Sequence, residues 1–139
     1  IKIINNFYKK NLNKKQLFIV LGLNPHNYSF NKNEDKKKAI SSAINDLIKS
    51  NVDVIGPVSP DSSFSLIKKN KVNVIVGMYH DQVLTPFKTL YKFDAINITL
   101  GLPFIRISPD HGIGEDIMGK KIANPISLIE SIKFFNHTK

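Results

Sequence analysis

Two histidines stand just beyond short apolar runs. QLFIVL (16–21) leads into Gly22-Leu23-Asn24-Pro25-His26, and VNVIV (72–76) leads through Gly77 into Met78-Tyr79-His80-Asp81-Gln82. A neutral imidazole is a good ligand for Zn2+ and other divalent ions, and loops at strand ends bring such groups together from distant parts of a chain. A histidine taken singly is more often a structural or surface residue. Context raises this pair: His80 is followed by Asp81 and Gln82, polar groups able to orient an imidazole, and Asp61 lies in the loop after a third apolar run, VDVIG (52–56).

A second set of residues suits an anionic ligand. Lys88, Asn97 and Arg106 lie 8, 17 and 26 residues after His80, and Arg106 is the only arginine in the chain, set inside the apolar string PFIRIS. A lone arginine on a strand suggests a fixed, two-pronged anion contact, because lysine lacks the planar fork. An ordinary arginine at a sheet margin is the plainer alternative. Other motifs carry less. GIGED (112–116) has two glycines but not the remaining spacing of a dinucleotide fingerprint, and no Gly-x-Ser-x-Gly elbow occurs. Asp110-His111-Gly112 resembles half of a catalytic pair, but neighbouring side chains point apart, so a loop contact or a cap is expected there.

The elements that must position these groups follow from periodicity. Ile3, Ile4, Phe7 and Tyr8 fall at helical spacing over residues 1–11, and 16–21 is an apolar run ended by Gly22, as a buried parallel strand requires. From Glu34 to Ser50 a stripe of Ala39, Ile40, Ala43, Ile44, Leu47 and Ile48 predicts a helix, with acids at its start and Lys49 near its end. VDVIGPVSP then reads as a short strand and turn, SSFSLIKKN as a short helix, and VNVIVGMYHDQ as a strand running into a polar loop. INITLG and FIRIS are two further strands with GLP between them, HGIGEDIMGKKIANP is a glycine-punctuated loop, and Asn124 caps a helix that starts at Pro125. Strand and helix alternate, which predicts an α/β domain whose ligands gather at the carboxyl ends of parallel strands.

Bulk properties exclude several classes. The 139 residues suffice for one domain or for a substantial part of a larger one, and 42% are hydrophobic, without any stretch long enough for a membrane span. The start has no signal-peptide pattern and no Met, so the chain is expected to begin within a longer, cytoplasmic protein. With no cysteine there are no disulfides, thiolate metal sites or thiol nucleophiles. The net charge of +9 invites a nucleic-acid reading, but 19 lysines stand against one arginine, and Lys rises together with Asn and Ile. That pattern reflects general composition rather than a phosphate-reading surface, so no nucleic-acid partner is expected.

GLNPH, GP-x-x-x-D-x-x-F, MYHDQ, NITLGLPFIR and S-x-DHG, in that order, resemble the carboxyl-terminal part of the 4-hydroxythreonine-4-phosphate dehydrogenase family, from about Gly22 to the end. HGIGEDIMGKKIANP is also similar to the adenosine-binding loop of isopropylmalate dehydrogenase. The resemblance implies an α/β/α layered sheet of the isopropylmalate dehydrogenase-like type, incomplete here. About 1–93 would come from the central domain, and about 94–139 would return to the first. It implies a divalent metal, Zn2+, Mg2+ or Co2+, held by three histidines. His26 and His80 match two of these, and the third belongs upstream. The family's site lies at a homodimer interface with ligands from both subunits.

The same resemblance puts Lys88, Asn97 and Arg106 on contacts to a phosphorylated substrate. Asp61 falls on an acidic position lining the site, and Asp61, His80 and Lys88 become the catalytic candidates. By analogy with isopropylmalate dehydrogenase, His111, Gly112, Asp116 and Asn124 would bind the adenosine half of NAD, with NADP left open. The implied activity is oxidation of 4-phosphooxy-L-threonine to a 3-oxo acid that decarboxylates to 3-amino-2-oxopropyl phosphate, in pyridoxal phosphate synthesis. The alternatives are a paralogue acting on threonate or erythronate 4-phosphate, or a non-catalytic fragment or partner subunit. One departure stands out: the family commonly continues Asn-Pro-His with Ala-Gly-Glu, whereas this chain has Asn27-Tyr28-Ser29-Phe30-Asn31.

Overall fold

The first half of the chain folds around one very apolar strand. In a computed structural model, which describes residues 1–27, 34–69 and 72–137, Phe18–Leu21 (β1) is buried at all four positions. It is the middle of a three-stranded parallel sheet, with Val54–Val58 (β2) on one side and Val74–Val76 (β3) on the other. Because side chains alternate across a strand, β1 feeds two cores at once. Phe18 and Val20 pack with Ile44, Leu47, Val52 and Val54 on the face covered by helix Glu34–Lys49 (α2), where Ile1 and Ile4, at the start of helix Lys2–Asn11 (α1), also pack. Ile19 and Leu21 turn the other way, onto Val72, Leu66 and Val83, which lie before β3, on the short helix Leu66–Lys69 (α4) and on helix His80–Tyr91 (α5). The result is a layer of helix on each side of a parallel sheet, as the strand and helix alternation predicts.

The second half is built differently. Ile96–Thr99 (β4) and Arg106–Pro109 (β5) pair antiparallel in a sheet of their own, with Asn97 opposite Ser108 and Thr99 opposite Arg106. Helix Ile126–His137 (α6) packs on this hairpin. The Asn124 side chain accepts the Ile126 N–H at 2.9 Å, as a cap should, but the helix begins at Ile126, one residue after the expected Pro125. Among the described residues no helix is long and apolar enough to cross a membrane.

Two sequence expectations change. The helix expected over SSFSLIKKN is two short turns, Pro60–Ser63 (α3) and α4, because Pro60 starts a turn two residues earlier. The polar loop expected after β3 is the amino-terminal turn of α5, so His80 is its first residue and Lys88 lies in its third turn rather than in a loop. Pro86 sits inside α5 and hides it from a periodicity search, since an interior proline removes one helix hydrogen bond. The Tyr28–Asn31 departure falls outside the described residues.

Candidate active site

Parallel pairing gives β1, β2 and β3 a common direction, so the segments that leave their carboxyl ends emerge at one edge of the sheet. These segments carry His26, Asp61 and His80. Hydrogen bonds stitch them together. Gly22 N–H donates to the Val58 carbonyl at 2.8 Å, and the Asn27 amide donates to the Pro57 carbonyl at 2.7 Å. A Cβ on Gly22 would come within 2.4 Å of the Asn27 side chain, so only glycine lets that amide fold back across the turn. The proline-stiffened Asn24-Pro25-His26 turn is thereby pinned to the end of β2.

Within this edge the structure brings together a pair that sequence spacing did not. His26 Nδ1 lies 2.9 Å from Asp61 Oδ2. An ionised carboxylate only accepts, so Nδ1 carries the proton, and in the neutral ring Nε2 keeps the lone pair. His80 repeats the arrangement, with Nδ1 at 2.8 Å from Asp81 Oδ1. Both imidazoles are largely open to solvent, their side chains 80% and 77% exposed. A carboxylate on one ring nitrogen and a free lone pair on the other is the usual state of a metal-binding histidine, so this donor chemistry fits a divalent ion. Among the described residues no three His, Cys, Asp or Glu side chains converge as a closed ligand set.

Gln82 does something other than orient an imidazole. Its Oε1 accepts the Met78 and Tyr79 N–H groups at 2.8 and 3.2 Å, and its Nε2 donates to the Gly22 carbonyl at 2.9 Å. One side chain thus caps the start of α5, beside His80, and binds it to the end of β1, four residues before His26. The readable signal was a glutamine three residues after the N-cap, half of a capping box.

The anion-binding candidates are distributed over α5 and the hairpin. Asn97 on β4 and Arg106 on β5 share one face, since directly opposed residues point the same way and Thr99, opposite Arg106, lies two residues from Asn97. The Arg106 guanidinium donates to Thr99 Oγ1 at 2.9 Å and makes no ion pair among the described residues, which leaves donors for a ligand. Lys88 pairs with Asp110 across 3.3 Å. The loop contact expected at Asp110-His111 is therefore real, but Asp110 has a partner that no spacing rule indicated.

His111, Gly112, Asp116 and Asn124 line one open cavity of about 760 Å3, together with Phe93 and Met118. Nothing lies within 4 Å of where a Gly112 Cβ would be, and Gly114 takes a left-handed conformation that lets the loop turn into the short 3-10 turn Glu115–Ile117. The cradle of small residues, polar groups and apolar walls fits a nucleoside. It would be held by the loop, without a Gly-rich strand-to-helix turn.

Residues 1–135 match the family model described as pyridoxal phosphate biosynthetic protein PdxA. A 4-hydroxythreonine-4-phosphate dehydrogenase from Sulfurihydrogenibium sp. is 42% identical over 135 residues, covering 96% of this chain and 41% of that protein. One from Roseobacter denitrificans is 43% identical over 120 residues, covering 86% of this chain and 37% of the relative. The crystal structure of 4-hydroxythreonine-4-phosphate dehydrogenase from Klebsiella pneumoniae superposes with a TM-score of 0.77 at 32% identity, over 99% of this chain and 42% of the other. That from Burkholderia phymatum gives 0.74 at 29% identity. The chain thus spans about two fifths of the length of the relatives it matches, and its α/β sheet is part of an isopropylmalate dehydrogenase-like fold. Motif order, sheet-edge geometry and likeness along nearly the whole chain agree: this chain belongs to the PdxA family, the pyridoxal phosphate biosynthetic proteins.

Proposed function

We propose that this chain supplies the carboxyl-terminal part of an NAD-dependent, metal-requiring dehydrogenase. It oxidises 4-phosphooxy-L-threonine at its hydroxyl and releases CO2 and 3-amino-2-oxopropyl phosphate, in pyridoxal phosphate synthesis. The observation that carries this is the pair His26 and His80, each held at Nδ1 by a carboxylate and both delivered to the carboxyl edge of one parallel sheet. About 1–93 belong to the central domain and about 94–139 to the first. The working unit is a cytoplasmic homodimer, with a third histidine from the upstream part of the protein.

In this reading His26 and His80 hold Zn2+, Co2+ or Mg2+ through Nε2. When bound, the ion polarises the substrate's hydroxyl and the carbonyl that replaces it. Asp61 and Asp81 accept from Nδ1, which fixes the tautomer that presents Nε2 and holds each ring in rotation. Lys88, Asn97 and Arg106 take the substrate's anionic and hydroxyl groups, the arginine by its planar fork and the lysine as a point charge. His111, Gly112, Asp116 and Asn124 hold the adenosine half of NAD, and the Asp116 carboxylate suits an unphosphorylated ribose better than a 2′-phosphate.

The test is NADH formation by the full-length protein with 4-phosphooxy-L-threonine, before and after chelation. Turnover that disappears with the chelator and returns with Zn2+, Co2+ or Mg2+ is expected. Equal or faster turnover of threonate 4-phosphate would assign the protein to a paralogous activity, and no NAD reduction with any such substrate would sink the dehydrogenase reading.

A further inference from the structure

Asp110 follows the last residue of β5, and its surroundings are unusually constrained. The Ser127 hydroxyl, fully buried on α6, donates to the Ala95 carbonyl at 2.5 Å and accepts the Asp110 N–H at 2.8 Å. Ser131 Oγ donates back to the Ser127 carbonyl at 2.8 Å. The Ser127 hydroxyl thus ties the residue before β4, the residue after β5 and α6 together, the Ser131 hydroxyl bonding only within α6, and Asp110 sits on this lock.

The lock uses only the main chain of Asp110, so it is indifferent to the side chain. That side chain is nevertheless an acid, 17% exposed, with Oδ1 at 3.3 Å from Lys88 Nζ and Oδ2 buried without a hydrogen-bond partner among the described residues. A half-satisfied, mostly buried carboxylate costs stability. An amide or a small apolar residue would serve the hairpin as well or better. What the acid alone provides is a charged partner for Lys88, whose long side chain is 47% exposed and otherwise free to sample many rotamers.

We propose that Asp110 is the positioning residue of Lys88. It holds the ammonium on α5 at a fixed place relative to the β4–β5 hairpin that bears Asn97 and Arg106, with one contact that leaves the remaining N–H donors of Lys88 for an anion. This rests on the reading of Lys88 as a substrate contact. It goes beyond that reading by naming the residue that places the lysine and the clamp, Ser127, that places this residue.

The experiment is a double-mutant cycle in the full-length protein, with the Michaelis constants for the phosphorylated substrate and for NAD measured separately. Lys88→Met is expected to lower kcat/KM, and Asp110→Asn to lower it by about 10- to 100-fold, chiefly through KM for the phosphorylated substrate, with KM for NAD unchanged. The double variant is expected to be no worse than Lys88→Met alone, because both remove the same contact. Multiplying losses, or equal changes in both Michaelis constants, would mean a general structural role and overturn the proposal. If Lys88→Met lowers kcat/KM while Asp110→Asn has no effect, the proposal fails and the substrate-contact reading stands. If Lys88→Met has no effect, both fall. Should Asp110→Asn not fold, Ser127→Ala, which loosens Asp110 without touching its charge, gives the second measurement. A rise in KM for the phosphorylated substrate alone supports the proposal, and an unchanged KM overturns it.

Discussion

Replacing Gln82 tests whether the two histidine-bearing segments are set by one side chain. Gln82→Leu keeps most of the volume and removes three hydrogen bonds, to Met78 N–H, Tyr79 N–H and the Gly22 carbonyl. The two N–H groups lie on the exposed residues just before α5, where water can replace the lost acceptor in part, so their loss resembles removal of a helix cap, about 1 kcal/mol. Gly22 is buried, and an unpaired buried carbonyl costs about 1–3 kcal/mol. Together the substitution should lower stability by about 2–4 kcal/mol. Gln82→Glu should do at least as much at neutral pH, because it points an acceptor at the Gly22 carbonyl. The assays are urea unfolding of the full-length protein and titration with Co2+, followed by the ion's visible absorption. Because the lost bonds tie the start of α5 to the end of β1, Co2+ affinity should fall with stability. A stability loss under about 0.5 kcal/mol, or an unchanged Co2+ affinity, would refute the reasoning.

Two further outcomes follow from the same geometry. Asp61→Asn removes the charged acceptor from His26 Nδ1 and should weaken Co2+ binding by about 10- to 100-fold with little change in unfolding, since the Asp61 side chain is 44% exposed; unchanged affinity would mean that the His26–Asp61 pair is only a surface contact. Asn124→Ala removes the cap of α6 and should cost about 1 kcal/mol, which Asn124→Ser should largely restore. If Asn124 also touches the nucleotide, KM for NAD should stay raised in the Ser variant, whereas recovery of both quantities would leave it a cap alone.

Much of the architecture was legible in local pattern. The apolar run at β1, the stripe of α2 and the Asn124-Pro125 start of α6 each carry their own signal, because burial on two faces, burial on one face and capping write different periods and residue types into a sequence. Helix α5 was not legible, because Pro86 interrupts its pattern. The antiparallel pairing of β4 with β5, apart from the parallel sheet, was not written either, since two strands joined by GLP read alike in either sheet.

The site divides in the same way. Residue type alone marked the Asn-Pro-His and His-Asp-Gln segments and the solitary arginine as chemistry. Imidazoles after apolar runs and an arginine in a lysine-rich chain are exceptions that composition makes visible. Partnership was decided only by the tertiary structure. His26 and Asp61 are 35 residues apart, Gln82 and Gly22 60 apart, and Lys88 and Asp110 22 apart. Each contact forms because parallel strands deliver their ends to one edge, or because the chain leaving β5 comes up beside α5. A sequence specifies which groups are available, but the directions in which separate elements leave a sheet determine which of them meet.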